Sequence, residues 1–349
     1  MEQTLATKYR PTTFDDVVEQ GSIKTILQHQ LKTKTTKNAY LFIGGAGTGK
    51  TTCARIFANE INNHEGLPIE LDAASNSGVD DVREIIQQAK TQSLDSEYKV
   101  FIIDECHSLS NTAWQAFLKL IEEPPAKSIF IFCTTNPEKI PKTILSRVQR
   151  YDFRRISEKG IYERLHYILT QEHQLDSTIG WEASSLVFIA KLADGGMRDA
   201  ITMMDKCLSY SNDLIIENVV SALGVADYEM MMKLTMHIVL GKADTVIEMI
   251  EKIHADGIDL KHFVRQWIDF VLDVQKYAIL RNFDYIKIPQ TDEYETFLED
   301  MYKDVQAGRT EISDLLSKLI AINAEIKYDS SPKYMIEAML LEVLNDRAE

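Results

Sequence analysis

Short β-type apolar runs alternate with amphipathic helical stretches up to about residue 155, and the alternation stops from Ser157 onward. A glycine-rich turn sits between the first of those runs and the helix after it. Together these predict an α/β region with a mostly parallel sheet, followed by an all-helical region. In order, Ala39 to Ile43 reads as a strand, Lys50 to Asn62 as a helix, Pro68 to Leu71 as a strand and Val79 to Lys90 as a helix. Lys99 to Ile103 is the next strand, Thr112 to Glu122 a helix with Asn111 as its N-cap and Pro124-Pro125 as its stop, and Ser128 to Cys133 a further strand. Beyond Ser157 apolar residues recur at helical spacing, as in Val246, Ile247, Met249, Ile250 and Ile253, and again from Met335 to Leu344. Breaks at Gly195-Gly196 and near Tyr210 to Asp213 divide the chain into domains at 1–156, 157–208 and 209–349.

A length of 349 residues suits two or three domains. Hydrophobic residues at 45% and charged residues at 26% exclude a disordered or low-complexity chain. No apolar run approaches the ~20 residues of a spanning helix, and the N-terminus lacks a secretory layout, so a cytoplasmic protein is expected. Cys53, Cys106, Cys133 and Cys207 are dispersed with no CxxC pair, which predicts free thiols and no zinc. The net charge of -15 sits wholly in the second part: residues 1–155 hold 19 basic and 19 acidic side chains. A DNA contact by the first part is therefore not excluded, because a local basic face is what binds phosphates.

Gly44-Gly45-Ala46-Gly47-Thr48-Gly49-Lys50-Thr51 is a full GxxxxGK[ST] match in the strand-to-helix context that motif demands. Glycines let consecutive N–H groups face phosphates, and the helix N-terminus adds its positive end. Lys50 would reach the β- and γ-phosphates, while Thr51 would ligate Mg²⁺ beside Thr52 on the same turn. Val100 to Glu105 is a buried-type strand ending in two carboxylates. An ionised strand-end carboxylate next to a phosphate loop is explained by a cation, which makes Asp104 the metal-side residue. Glu105 would then polarise the attacking water. Asp104-Glu105-Cys106-His107 also suits a DExH helicase, but those need two motor domains, and the strand-rich region ends too early for a second.

Several segments in order resemble the AAA+ clamp-loader ATPases of the gamma/tau type of bacterial DNA polymerase III. They are Lys8 to Val18, the phosphate loop, Leu71 to Asn76, Asp104 to Ser110, Leu118 to Pro125, Cys133 to Pro137, Ile144 to Arg147 and Gly195 to Ala200. The resemblance covers about 200 residues and implies a P-loop AAA+ domain, a small helical lid and a helical collar that oligomerises. It implies that Tyr9, Arg10, Pro11 and Val18 line the base side of an ATP pocket whose loop is Gly45, Ala46, Gly47, Thr48, Gly49, Lys50, Thr51 and Thr52. It makes Thr135 sensor 1, Arg147 the arginine finger and Arg198 sensor 2. The implied partners are other clamp-loader subunits in a pentamer, a sliding clamp and primer-template DNA, with no membrane and no polymerase active site.

The sequence departs from the family where a four-cysteine zinc module usually follows the helix after the loop, since only Asn62 to Gly66 fills that gap. Glu19-Gln20 stands where Gly-Gln is usual, and no long tail follows the third domain, as in a compact, cellular or phage-encoded form. Glu122 and Glu123 close a helix, where the macrodipole disfavours acids; they are either simply exposed or face a neighbouring subunit's basic groups. DNA phosphates are expected at helix N-termini near Ser75-Asn76-Ser77-Gly78 and Ser110-Asn111-Thr112, with Lys119 one face along. The expected activity is ATP hydrolysis that opens, loads and releases a clamp. The alternatives are a structural subunit that does not hydrolyse ATP and another AAA+ DNA motor such as a branch-migration ATPase.

Overall fold

The computed structural model describes residues 3–76, 78–91, 95–223, 227–289, 291–308, 312–326 and 331–345. Two compact units result: residues 1–180 with 189–209, and residues 181–188 with 210–349.

The first unit opens with α1 (Leu5–Lys8) and α2 (Gly21–Thr33), then β1 (Ala39–Ile43), α3 (Lys50–Ile61), β2 (Ile69–Asp72), α4 (Val79–Lys90) and β3 (Lys99–Asp104). It continues with α5 (Asn111–Glu122), β4 (Ser128–Thr134), α6 (Lys142–Leu145), β5 (Gln149–Asp152) and α7 (Glu158–Leu175). The five strands lie in the order β2-β3-β4-β1-β5 with every pairing parallel. All residues of β1 and β4 are buried, as a central strand covered by helices on both faces requires. Alternation along the strands sorts the side chains. Leu41, Phe101, Phe130 and Phe132 join Trp114 and Phe117 of α5 on one face, and Tyr40, Phe42, Val100 and Ile131 join Leu27 of α2 and Phe57 of α3 on the other.

The structure adds β5, where the sequence by itself shows only a basic run: Gln149-Arg150-Tyr151-Asp152 buries only Tyr151. Such an edge strand shows no apolar run. At α5 the N-cap is Ser110, whose Oγ accepts from Ala113 N at 3.2 Å, and not Asn111, which is the first helical residue. Two-residue strands at Gly180–Trp181 and Asp213–Leu214 interrupt the helical second part, where no strand was expected.

From α8 (Ala183–Leu192), which crosses between the units, the chain enters α9 (Met197–Tyr210) directly after Gly195-Gly196. The second unit then holds α10 (Ile216–Leu223), α11 (Asp227–Val239), α12 (Ala243–Ala255), α13 (Leu260–Leu280), α14 (Asp292–Gln306), α15 (Ile312–Glu325) and α16 (Pro332–Asn345). Helices α11, α12, α14, α15 and α16 share one core with α13, which Asp259 caps by accepting from Lys261 N and His262 N. Its buried Trp267 donates to Thr235 Oγ1 at 3.0 Å, so the indole N–H is satisfied inside an apolar core. Among the described residues no helix is long and apolar enough to cross a membrane.

Candidate functional site

The loop between β1 and α3 turns through Gly47 and Gly49, with φ of +68° and +98°, backbone that glycine adopts without strain. Thr48 Oγ1 donates to Gly45 O at 2.9 Å, and Gly44 N donates to Thr134 O at 3.2 Å, tying the loop to β4. Lys50 is buried and folds its ammonium back onto Gly44 O and Gly45 O, at 2.9 and 2.8 Å. Burial lowers its pKa, with attraction to Glu105 and Asp104 opposing this. A buried cation held chiefly by carbonyls is suited to an incoming anion.

At the next residue, Thr51 Oγ1 lies 2.7 Å from Asp104 Oδ2, while Asp104 Oδ1 accepts from Glu105 N at 3.0 Å. A hydroxyl and a carboxylate that converge beside a phosphate-type loop form the hard-oxygen donor set that Mg²⁺ takes. Among the described residues no cluster of three or more His, Cys, Asp or Glu could hold a metal, and all four cysteines are buried and free. Glu105 adopts φ of +45°, and its Oε2 accepts from Thr135 Oγ1 at 3.2 Å. His107 Nδ1 lies 3.2 Å from the same oxygen. Sequence reasoning gave His107 no role; its one signal was its place in the Asp104 to His107 string.

Arg10 and Arg198 bring further positive charge to the loop. Arg10 Nε donates to Thr52 Oγ1 at 3.4 Å, and burial, together with Arg55 and Arg198, lowers its pKa. Arg198, exposed, is the second residue of α9 and follows Met197, whose N donates to Gly47 O at 3.0 Å. Tyr9 turns its hydroxyl to Glu172 of α7, at 2.5 Å, where Lys8 Nζ also bonds at 2.7 Å. Burial would raise the pKa of Glu172, but the hydrogen bonds from Lys8 and Tyr9 bring it below the usual value. Pro11 and Val18 are half-buried, and Val18 packs against the first turn of α7 at Gly160.

Two further residues join these pieces. Gln20 is buried, donates to Arg154 O at 2.7 Å and Thr48 O at 3.4 Å, and accepts from Arg154 N. Glu19, at φ of +56°, takes hydrogen bonds from Ser157 N and Ser157 Oγ at the N-terminus of α7.

Arg147 stands apart. Gln149, the first residue of β5, pairs with Tyr40, three residues or about 10 Å before the end of β1, so Arg147, which precedes β5, lies toward the end of the sheet remote from the loop. Its guanidinium bonds Glu122 Oε1 at 2.8 Å and Thr143 O at 2.8 Å. Glu122 thus meets a basic group of its own chain rather than lying free.

Of the residues expected at DNA, Ser75 and Asn76 lie in the turn after β2 and Asn111 and Lys119 on α5. Asp72 organises the Ser75 to Asn76 turn: Ser75 Oγ donates to its Oδ2 at 3.0 Å and Asn76 Nδ2 to its backbone oxygen at 3.2 Å. A carboxylate there opposes a phosphate. Ser77 lies outside the described residues. Asn111 and Lys119 are both exposed on α5, two turns apart, about 12 Å.

Three family models match the chain in succession: "DNA polymerase III, delta subunit" over residues 61–157, "DNA polymerase III clamp loader subunit, ATPase lid domain" over 160–213, and "DNA polymerase III subunits gamma and tau domain III" over 214–345. The DNA polymerase III subunit tau of Bacillus subtilis is 34% identical, over 98% of this chain and 63% of that protein. The subunit gamma of Buchnera aphidicola subsp. Acyrthosiphon pisum is 29% identical, over 98% of this chain and 99% of that one. The subunit tau of Escherichia coli is 33% identical, over 74% of this chain and 43% of that one. The chain spans less than two thirds of the length of most of these curated relatives. Among solved structures, the Thermotoga maritima RuvB Holliday junction branch migration motor superposes with a TM-score of 0.50 at 18% identity, covering 72% of this chain and 86% of that one. That likeness concerns the fold alone.

Proposed function

The chain belongs to the AAA+ clamp-loader ATPases of the DNA polymerase III gamma/tau family, and on that premise we propose that it is a motor subunit that binds ATP with Mg²⁺ and hydrolyses it. The observation that carries this reading is the convergence of Thr51 Oγ1 and Asp104 Oδ2 one residue past a buried Lys50. Thr51 and Asp104 would hold Mg²⁺, which supplies Lewis-acid neutralisation of phosphate charge when bound. Lys50 leaves its two carbonyls for the β- and γ-phosphates, and the backbone from Gly45 to Gly49 cradles them. Arg10 and Arg198 add countercharge from the N-terminal segment and from α9. Glu105 takes the proton of the attacking water, and Thr135 senses the γ-phosphate beside it.

Arg147 acts in trans, because its own loop lies at the other end of the sheet. The ATP site is then complete only between subunits, in an assembly held by residues 209–349, with 1–156 as motor and 157–208 as lid. Other clamp-loader subunits, a sliding clamp and primer-template DNA are the partners this reading requires. The competing reading, a subunit that binds partners without turnover, would have no use for Glu105 beside a complete Lys50, Thr51 and Asp104 set. Lys50→Ala is expected to weaken ATP binding, whereas Glu105→Gln keeps binding and stops turnover. Nucleotide titration with steady-state hydrolysis separates them, and undiminished hydrolysis by Glu105→Gln overturns the role.

A further inference from the structure

Glu105, directly after β3, takes a left-handed conformation that is strained for a residue with a Cβ. Such strain persists only where the surroundings impose it. The chain then makes a single 3-10 turn, Cys106–Ser108, closed by Ser108 N donating to Glu105 O at 2.9 Å and Leu109 N to Cys106 O at 3.1 Å. Cys106 is buried and anchors the turn, so the half-buried His107 is swung back over the carboxylate of Glu105. Its Nδ1 stands 3.2 Å from Glu105 Oε2 and 3.1 Å from Thr134 Oγ1. The hydrogen bond that holds Nδ1 is the one to Thr134 Oγ1, and the Glu105 oxygen lies directly beside it. Thr134 Oγ1 already accepts from Asn136 N at 3.0 Å, which fixes that hydroxyl next to the ring.

Thr135 Oγ1–H therefore donates to Oε2 of Glu105 and the His107 ring, held by Thr134, confines the same oxygen from 3.2 Å, while Oε1 carries no hydrogen bond from the described residues. We propose that His107 is a positioning residue for ATP hydrolysis: with Thr135 it pins Oε2 and so leaves Oε1 of Glu105 directed at the attacking water. This rests on the reading of Glu105 as the group that polarises water. Orientation of a base within hydrogen-bond reach of its proton is what makes it effective, so loss of one of two pins should lower turnover and leave phosphate binding to the loop untouched.

The test is steady-state hydrolysis and nucleotide binding by the full chain carrying His107→Ala, His107→Asn or His107→Gln, with Glu105→Gln alongside. An asparagine places its amide nitrogen near the position of Nδ1, whereas a glutamine reaches toward that of Nε2. His107→Ala is expected to lower kcat at least tenfold with nucleotide Kd within twofold of the parent, and His107→Asn to restore most of the rate while His107→Gln does not. If the alanine variant does not fold, the asparagine and glutamine variants still decide. A kcat for His107→Ala within twofold of the parent, or equal rates for Asn and Gln, overturns the proposal. Full activity in Glu105→Gln overturns the underlying reading instead, so the two failures are distinct.

Discussion

Replacing Glu19 tests how the N-terminal segment is joined to α7. The residue sits at φ of +56°, where a residue with a Cβ costs about 1–2 kcal/mol and glycine costs nothing comparable. Its carboxylate receives Ser157 N at 3.2 Å and Ser157 Oγ, at the N-cap of the 18-residue helix α7. A carboxylate at a helix N-terminus contributes about 0.3–1 kcal/mol, and a partly exposed hydrogen bond about 0.5–1.5 kcal/mol. Glu19→Ala keeps the backbone strain and loses both contributions, so it should destabilise by about 1–2 kcal/mol. Glu19→Gly loses the same contacts but sheds the strain, which places it about 1 kcal/mol above the alanine variant. At about 2–4 °C per kcal/mol for a unit of this size, the alanine variant melts about 2–8 °C below the parent and the glycine variant about 2–4 °C above the alanine one. Thermal unfolding of the three proteins in parallel measures this. Equal melting temperatures for Ala and Gly would refute the strained-cap account, and a glycine variant less stable than alanine would reverse it.

Two further outcomes are expected. Arg147→Ala chains alone should hydrolyse ATP about 10³-fold or more slowly, and mixing them with Lys50→Ala chains should recover activity, because some interfaces then pair a sound loop with a sound finger. Mixed oligomers without recovery would exclude action in trans. Glu172 is held below its usual pKa of 4.5 by Lys8 and Tyr9 against the effect of burial, so its stabilisation is present above that pH and is lost as pH falls through the lower folded value. The melting temperatures of the parent and Glu172→Gln should accordingly differ near neutral pH and converge below about pH 4.5; a difference unchanged at pH 3 would contradict this.

The legibility of this molecule in its sequence followed burial. Strands β1, β3 and β4 could be read because helices cover both faces, which demands unbroken apolar runs such as Ser128 to Thr134. Strand β5 could not, since an edge position asks only for Tyr151 to be apolar. The Thr51 and Asp104 pairing was readable because motif spacing and strand context fix both ends. Glu122 and Arg147 could not be matched, because two exposed side chains 25 positions apart carry no periodic signature. His107 needed the left-handed turn at Glu105 to be known before its ring could be placed. Ser110 and Asn111 are both good caps, and only the hydrogen bond to Ala113 chooses between them.

Gly47 and Gly196 lie almost 150 positions apart, yet a Cβ on Gly47 would stand 3.0 Å from the Cα of Gly196, and one on Gly196 would meet Asp199 Oδ2 at 2.7 Å. The phosphate loop and the start of α9 therefore touch main chain to main chain, with no side chain between them to yield. Sequence drift at Gly47 is therefore limited by the backbone at Gly196, and the loop cannot be exchanged without regard to that segment. A chimera that grafts the 195–200 segment of another ATPase must bring its backbone past Gly47 without a Cβ there, whereas a Cβ at Gly196 would press first on Asp199 of its own segment. The junction thereby sets which foreign segments can follow this loop.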